Sequence, residues 1–313
     1  MADSAPDSAI VVAGEALFDL VPSGTDELRA HPGGGPFNTA RTIARLGRPV
    51  AYLGRVSRDR FGMRLRALLE GDGVRLDAVV DTDDPTTLAL AELDPEGVAV
   101  YRFYERGTSV PGLTTEAAMG ALPARMEVLH VGSLGLALEP VATALEAVVE
   151  RFAGEALIVL DPNCRPGAAE DQDAYRARLD RVLARTDLVK ASEEDLEFMR
   201  PERPPLEGAR ALLDGGAAAA VLTLGPAGAV VVTRGDEVAV PAPRADVVDT
   251  IGAGDAFGGA LLAWWHRDGR GRAELSDRDA LVEATRFACL VAARTTERAG
   301  ASPPTAEELG LAG

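Results

Sequence analysis

Val248-Asp249-Thr250-Ile251-Gly252-Ala253-Gly254-Asp255-Ala256-Phe257-Gly258-Gly259-Ala260-Leu261-Leu262 is the stretch from which the rest of the chain can be read. Two glycines two apart, Gly252 and Gly254, precede a lone carboxylate, Asp255, and that carboxylate opens an apolar run. From Ala256 the apolar residues recur in pairs, Ala256/Phe257, Ala260/Leu261 and Trp264/Trp265. This four-residue spacing predicts a buried helical face. A helix starting here leaves the N–H groups of Gly252, Ala253 and Gly254 near its unsatisfied donors, where the backbone attracts anions. Asp255 then sits beside whatever anion binds, and a base next to an anion cradle points to transfer of a phosphoryl group to a hydroxyl. A dinucleotide fingerprint does not fit. Gly252, Gly254 and Gly258 are spaced one residue too long, and no acid closes a following strand about 20 residues later.

Around this stretch, short β-rich runs end in polar residues or glycine: Ile10–Ala13, Glu127–Val131, Ala156–Leu160, Asp187–Val189 and Ala219–Leu224. Amphipathic helical stretches lie between many of them, at Pro36–Leu46, Arg60–Glu70, Pro140–Phe152, Ala174–Ala184 and Leu206–Asp214. Such alternation predicts an α/β protein with a mostly parallel sheet and helices on both faces. In such sheets ligands bind beyond the carboxyl ends of the strands. Asp161, Lys190 and Thr223 fall at or near those ends. One segment departs from the pattern. Thr86–Leu93 and Val98–Glu105 read as two strands joined by Asp94-Pro95-Glu96-Gly97, a type I turn signal with no helix between. This hairpin is either a lid over the strand ends or an ordinary edge hairpin.

The net charge of −17 opposes nucleic acid and anionic membrane as partners. An anionic substrate therefore needs a local cradle. Lys190 is the one lysine, every other basic residue being arginine, so a Gly-x4-Gly-Lys-Ser/Thr phosphate loop is absent. Backbone amides, arginine and metal would have to hold a nucleotide. No apolar run approaches the ~18–20 residues of a membrane span. The acidic residues of Met1–Ser8 are the reverse of a signal peptide's start. Cys164 and Cys289 are then expected as reduced thiols of a cytoplasmic protein.

Three further places carry possible chemistry. Pro32-Gly33-Gly34-Gly35-Pro36-Phe37-Asn38 precedes a helix; its glycines allow a ligand near the backbone, and Asn38 can bond hydroxyls both ways. A flexible turn with proline at the first helical position explains it equally well. Asp19 is either a cap or a hydroxyl-binding carboxylate. Asp161-Pro162-Asn163-Cys164-Arg165 leaves a strand with a carboxylate, an amide and a guanidinium; Arg165 could clamp a phosphoryl group, or lie in a surface turn. His31, His130 and His266 have no metal spacing and read as structural or surface residues.

Taken in order, these motifs resemble those of the ribokinase-type (PfkB) carbohydrate kinases, over about Ile10 to Pro304. Gly33-Gly34 through Asn38 is similar to the family's N-terminal signature. Asp249-Thr250-Ile251-Gly252-Ala253-Gly254-Asp255 is similar to its C-terminal signature, Asp-Thr-x-x-Ala/Gly-Gly-Asp. Gly14-Glu15-Ala16-Leu17-Phe18-Asp19, Gly35-Pro36-Phe37-Asn38, Phe103-Tyr104-Glu105-Arg106-Gly107-Thr108 and Asp161-Pro162-Asn163-x-Arg165-Pro166 are most similar to bacterial fructokinases.

The resemblance implies a ribokinase-like three-layer α/β/α core, with 1–313 as a single domain. A small β-sheet lid would be formed mainly by 86–105, with a contribution from about 17–32. It implies Asp255 as base and Gly252, Ala253 and Gly254 as anion hole. Asp19, Gly33, Gly34 and Asn38 would bind the sugar, Phe103 and Tyr104 would close over it, and Arg165 would contact the transferred phosphoryl group. Lys190, Ser192, Thr223, Gly225 and Gly228 would line the nucleotide site, with Ala288 and Ala292 near the adenine. The family's Asn-x-x-Glu appears here as Ser192-Glu193-Glu194-Asp195, so Asp195 would organise Mg²⁺ through water. A loop near Asp249 and Ala299-Gly300 would hold a monovalent cation such as K⁺. The expected activity is ATP-dependent phosphorylation of fructose at its sixth carbon, in a possible homodimer formed through the lid. A 2-keto-3-deoxygluconate kinase, another sugar or nucleoside kinase of the family, and a catalytically silent sugar-binding regulator are the alternatives.

Overall fold

The computed structural model describes residues 10–23, 26–93 and 99–311. The turn expected at Asp94-Pro95-Glu96-Gly97 lies outside the described residues. The strands are β1 (Ile10–Ala13), β2 (Leu17–Pro22), β3 (Leu28–Gly33), β4 (Val50–Ser57), β5 (Val79–Thr82), β6 (Leu88–Leu93), β7 (Ala99–Tyr104) and β8 (Val128–Gly132). Then follow β9 (Leu157–Asp161), β10 (Leu188–Ser192), β11 (Ala219–Thr223), β12 (Ala229–Val232) and β13 (Glu237–Val240). The helices are α1 (Gly35–Arg45), α2 (Arg60–Asp72), α3 (Thr115–Ala121), α4 (Val141–Phe152) and α5 (Gln172–Leu183). The remaining four are α6 (Glu193–Met199), α7 (Pro205–Asp214), α8 (Ala253–Arg267) and α9 (Arg278–Thr296).

Local chemistry sets many of these boundaries. α1 carries Pro36 in its first turn, where a missing N–H costs nothing. α2 is capped by Asp59, which accepts from the Gly62 N–H, and stops at left-handed Gly73. β1 is Ile-Val-Val-Ala, apolar on both faces, as a strand buried on both sides must be. Its alternation divides the interior. Val11 and Ala13 enter one core, with α4, α5 and α7, while Ile10 and Val12 enter the other, with α1, α8 and α9. The result is a three-layer α/β/α sandwich.

The large sheet has nine strands in the order β13-β12-β11-β10-β9-β8-β1-β4-β5. β11 through β5 in that order pair in parallel, and β12 and β13 add an antiparallel edge. The strand order reverses at β1, which lies between β8 and β4. That switch point opens a crevice at the strands' carboxyl ends. A second sheet, β3-β2-β6-β7, contains the hairpin read at 86–105 together with strands on either side of 23–27. The small sheet was expected mainly from 86–105 with a contribution from about 17–32. In the fold β6 pairs in parallel with β2, through Phe18, Asp19 and Leu20, making one four-stranded unit.

Candidate active site

Helix α8 begins as its sequence predicts. Gly252 occupies the N-cap in a left-handed conformation, φ 76°, and its carbonyl accepts the first helical bond from Ala256 N–H at 2.8 Å. A Cβ at this position would stand 2.5 Å from the Ala301 Cβ, so both torsion and space demand glycine. The Ala253 N–H turns back to the Thr250 carbonyl at 3.2 Å. The N–H groups of Gly254 and Asp255 are therefore the free donors of the first turn among the described residues, so the open part of the expected cradle lies one residue further on.

Asp255 faces the start of α1. Asn38, one turn into α1, donates its Nδ2 to Asp255 Oδ2 at 2.9 Å, and its buried Oδ1 has no partner. An acceptor left open beside a base is suited to a hydroxyl that must be held while it loses its proton. Burial raises the Asp255 carboxyl above its ordinary range, opposed by the Asn38 bond and by the charges of Lys190 and Arg165. Asp19 on β2 is raised to about 6, by burial first and then by the Asp255 charge, with Arg165 opposing. Gly33 approaches Asp19 so closely that a Cβ would lie 2.1 Å from its Oδ2. Asp19, the glycine loop, Asn38 and Asp255 are thus brought to one place from three separate segments.

A small cavity beside Asp255 is lined by Gly35, Pro36, Thr39, His130, Gly132, Ser133, Asp161, Asn163 and Asp255. Among the described residues, Ser133 and Asn163 are the two non-glycine residues with positive φ, 56° and 36°. Both stand where β8 and β9 run out, and local strain of this kind gathers at functional sites. Beneath Asp255 lies a buried ion pair. Lys190 Nζ donates to Asp161 Oδ1 and Oδ2 at 3.0 and 2.9 Å. The ammonium lies under the first turn of α8, 3.4 Å from where a Gly254 Cβ would be. Lys190, read from the sequence as nucleotide-binding, is enclosed and paired with Asp161 beneath the first turn of α8. Burial raises Asp161 to about 6 despite its partner. His130 is fully enclosed on the same side, with both ring nitrogens unpartnered. Burial and the Lys190 charge push it down to about 3, so it is neutral.

Other expected residues are placed as follows. Arg165 donates from Nη1 to the Asn163 and Cys164 carbonyls, and its charge acts on Glu15, Asp19 and Asp255 together. Ser192 and Asp195 form a capping box at α6: Ser192 N–H and Oγ–H donate to Asp195 Oδ2, and Asp195 N–H donates to Ser192 Oγ. Asp195 Oδ1 also accepts from Cys164 N–H at 2.6 Å, tying α6 to the Arg165 loop. Thr223 ends β11 and donates to the Ala191 carbonyl at 3.3 Å. Gly225 and Gly228 bound the short turn after it. Ala292 is half-buried on α9, whereas Ala288 is wholly enclosed in the core below. Asp249 joins two loops, accepting from Ile251 N–H at 2.9 Å and Gly300 N–H at 2.8 Å. Among the described residues no group of three or more His, Cys, Asp or Glu side chains is placed to hold a metal ion.

On β7, neighbouring side chains alternate between faces. Register puts Phe103 opposite Ala89, and Ala89 opposite Asp19, so Phe103 shares the Asp19 face. Tyr104 is on the other face and 51% exposed. The aromatic partner of Phe103 is Tyr101, stacked with it at 6.4 Å between centroids. The Tyr101 hydroxyl is raised by burial and feels the charges of Asp19, Arg165 and Asp249. Sequence reading missed Tyr101, although its two-residue spacing from Phe103 carried the signal.

The nine-stranded core with its small sheet, closing on one crevice, is the ribokinase-like α/β fold. The chain belongs to the pfkB family of carbohydrate kinases, whose family model matches residues 8–308. It is 37% identical over 258 residues to a fructokinase of Rhizobium leguminosarum bv. trifolii, covering 81% of this chain and 78% of that one. It superposes on the fructokinase of Vibrio cholerae O395, bound to fructose, ADP and calcium ion, with a TM-score of 0.86 at 28% identity. That match covers 97% of this chain and 99% of the other. A double mutant of the same enzyme with fructose, ADP and potassium ion matches with the same TM-score and identity, over 97% and 98% of the two chains. No helix among the described residues is long and apolar enough to cross a membrane.

Proposed function

We propose that the protein transfers the γ-phosphoryl group of ATP to fructose, yielding fructose 6-phosphate and ADP. The observation that carries this reading is Asp255: a base in the open first turn of α8, held by Asn38, above a buried cation. In the mechanism, fructose lies against Asp19, the glycine loop and Asn38, with its sixth-carbon hydroxyl at Asp255. The hydroxyl oxygen bonds to the γ-phosphorus, its proton passes to Asp255, and the β–γ bridging oxygen leaves with the electron pair on ADP. A loose transition state asks little of the base, so positioning and the first-turn N–H groups supply most of the acceleration. Arg165 would steady the moving phosphoryl group.

Magnesium would arrive with ATP, held by phosphate oxygens and water as this hard cation prefers, and would neutralise charge on the phosphates. Asp195 fits that role only through a water, because Cys164 and Ser192 already occupy its oxygens. A potassium ion is assigned beside Asp249, between the loops its carboxylate joins; activation by K⁺ over Na⁺ would test it. We read 1–313 as one domain whose small sheet is a lid. The lid's outer face exposes Leu28 (56%) and Tyr104 and half-buries Leu20 and Leu90, which suits a homodimer measurable by sedimentation. Two unpaired thiols suit a reducing cytoplasm.

The test is an ADP-release assay with ATP and Mg²⁺ on fructose, 2-keto-3-deoxygluconate, ribose and adenosine, with the product's phosphate position read by NMR. Fructose is expected to be the preferred acceptor. Faster turnover of the keto acid would replace the sugar and keep the mechanism. Against that acid, Arg102 and Arg106 are engaged with Glu92 and Glu170 on open surface. Failure on every acceptor, with sugar still bound, would mark a silent regulator.

A further inference from the structure

Glu15, just beyond β1, is a carboxylate that the mechanism above does not use, yet it is 1% exposed and lies behind the pocket. Its Oε1 accepts from the N–H of Gly35, the first residue of α1, at 3.0 Å. Its Oε2 accepts from the N–H of Gly135 at 3.2 Å, and the nearby Ser133 side chain favours the ionised carboxylate. One side chain therefore ties together two segments that are far apart in sequence. One is the glycine loop leading into α1, where Asn38 sits a single turn from the clamped N–H. The other is the strained turn after β8, where Ser133 lines the pocket opposite Asp255. Asp255 also holds the first segment, through Asn38, but Glu15 is the carboxylate that bonds to both segments among the described hydrogen bonds.

We propose that Glu15 is a positioning residue for the sugar: its buried carboxylate clamps the glycine loop to the Ser133 turn and so sets the separation of Asn38 from the opposite pocket wall. This rests on the sugar-kinase reading of the same site. Buried carboxylates are costly without partners, and this one is held by N–H groups from both walls. Its geometry also makes it responsive to protons. A carboxylate accepts at both oxygens, whereas a carboxylic acid presents one O–H where an N–H already points. Burial raises Glu15 to about 7, opposed by Ser133, by the backbone N–H groups and by Arg165. The charged and titratable groups acting on it are Arg165, from the loop after β9, and Tyr52 on β4, whose phenol is raised by burial first and then by the Glu15 charge. The clamp is closed when Glu15 is ionised and slackens as pH falls through neutrality.

The test measures KM for fructose and for ATP, kcat, and fructose affinity by calorimetry without ATP, from pH 5.5 to 8.5. In the wild type, fructose KM should fall between about pH 6 and 8 while ATP KM stays flat. Asp19 contributes its own transition nearer 6, and that one should persist in Glu15→Gln. Glu15→Gln should raise fructose KM roughly tenfold at pH 8, in keeping with loss of a charge-assisted bond. It should also lose the upper transition and change kcat and ATP KM less than twofold. Ser133→Ala keeps the carboxylate but removes a hydroxyl that favours its ionised form, so its transition should move up in pH. An effect through direct sugar contact would change KM without moving the transition. Unchanged fructose affinity in Glu15→Gln, or equal losses in fructose KM, ATP KM and kcat, would overturn the proposal. If Glu15→Gln does not fold, a flat wild-type fructose KM from pH 6.5 to 8 overturns it as well. Absence of any phosphorylated or bound sugar in the wild type would instead overturn the underlying function.

Discussion

Replacing Gly252 by alanine separates two demands made on one residue. The first is conformational: at φ 76° a Cβ meets the following carbonyl, at a cost of roughly 1–2 kcal/mol. The second is steric. The new Cβ would lie 2.5 Å from the Ala301 Cβ and 3.0 Å from its Cα. Carbon atoms pack best at about 3.5–4.0 Å, so relief needs a shift of about 1 Å by the α8 turn or the 300–302 loop. Overpacking of this kind costs about 1–3 kcal/mol. The same displacement moves the Gly254 and Asp255 N–H groups, and ~1 Å of misplacement costs about 10²-fold in rate. Gly47 supplies the control. Its φ is also 76°, nothing lies within 4 Å of its would-be Cβ, and it follows the far end of α1. Gly47→Ala should show the conformational cost alone, with normal kcat. Gly252→Ala should lose more in thermal denaturation and about 10²-fold or more in kcat by ADP release, while ATP still binds. If Gly252→Ala melts with Gly47→Ala and turns over within twofold of wild type, the assignment of this turn to the transferred phosphoryl group is wrong.

Asp255→Asn should leave the melting temperature and nucleotide affinity close to wild type and nearly abolish turnover; appreciable turnover in pure mutant protein would remove Asp255 as base. Because Asp255 must be ionised to take a proton and burial raises it, kcat should begin to fall with decreasing pH above the ordinary aspartate range. A profile flat down to pH 4 would contradict this. Lys190→Met strands Asp161 in the core, and breaking such a buried pair costs about 3–5 kcal/mol. The double variant with Asp161→Asn should recover much of that stability but not the rate; recovery of both would make the pair merely structural. Tyr101→Ala should raise fructose KM several-fold with little change in sedimentation, and Tyr104→Ala should do the reverse. The opposite pattern would invert the two faces of the lid.

The class of fold was legible in local residue patterns, and so was the helix start that carries the proposed base. Period-two and period-four patterns are local, so the β-rich runs and amphipathic helices appear as strands and helices within a few residues of their reading. Gly252, Gly254 and Asp255 were likewise local, since a helix start needs only neighbours in the chain. Tertiary structure decided everything that depends on which strands stand side by side. Lys190 and Asp161 look like two independent polar strand ends until β9 and β10 pair and bury them together beneath α8. His130 reads as an ordinary histidine until that same pair and a closed core leave it neutral. Tyr101 rather than Tyr104 faces Asp19 because β6 joins β2, a register that no local signal contains. Glu15 is the clearest case: a single acid in a glycine-bounded turn acquires meaning only when two distant N–H groups converge on its carboxylate. Such convergence is long-range, and long-range pairing is set by packing of whole layers, which a linear reading of residue types does not contain.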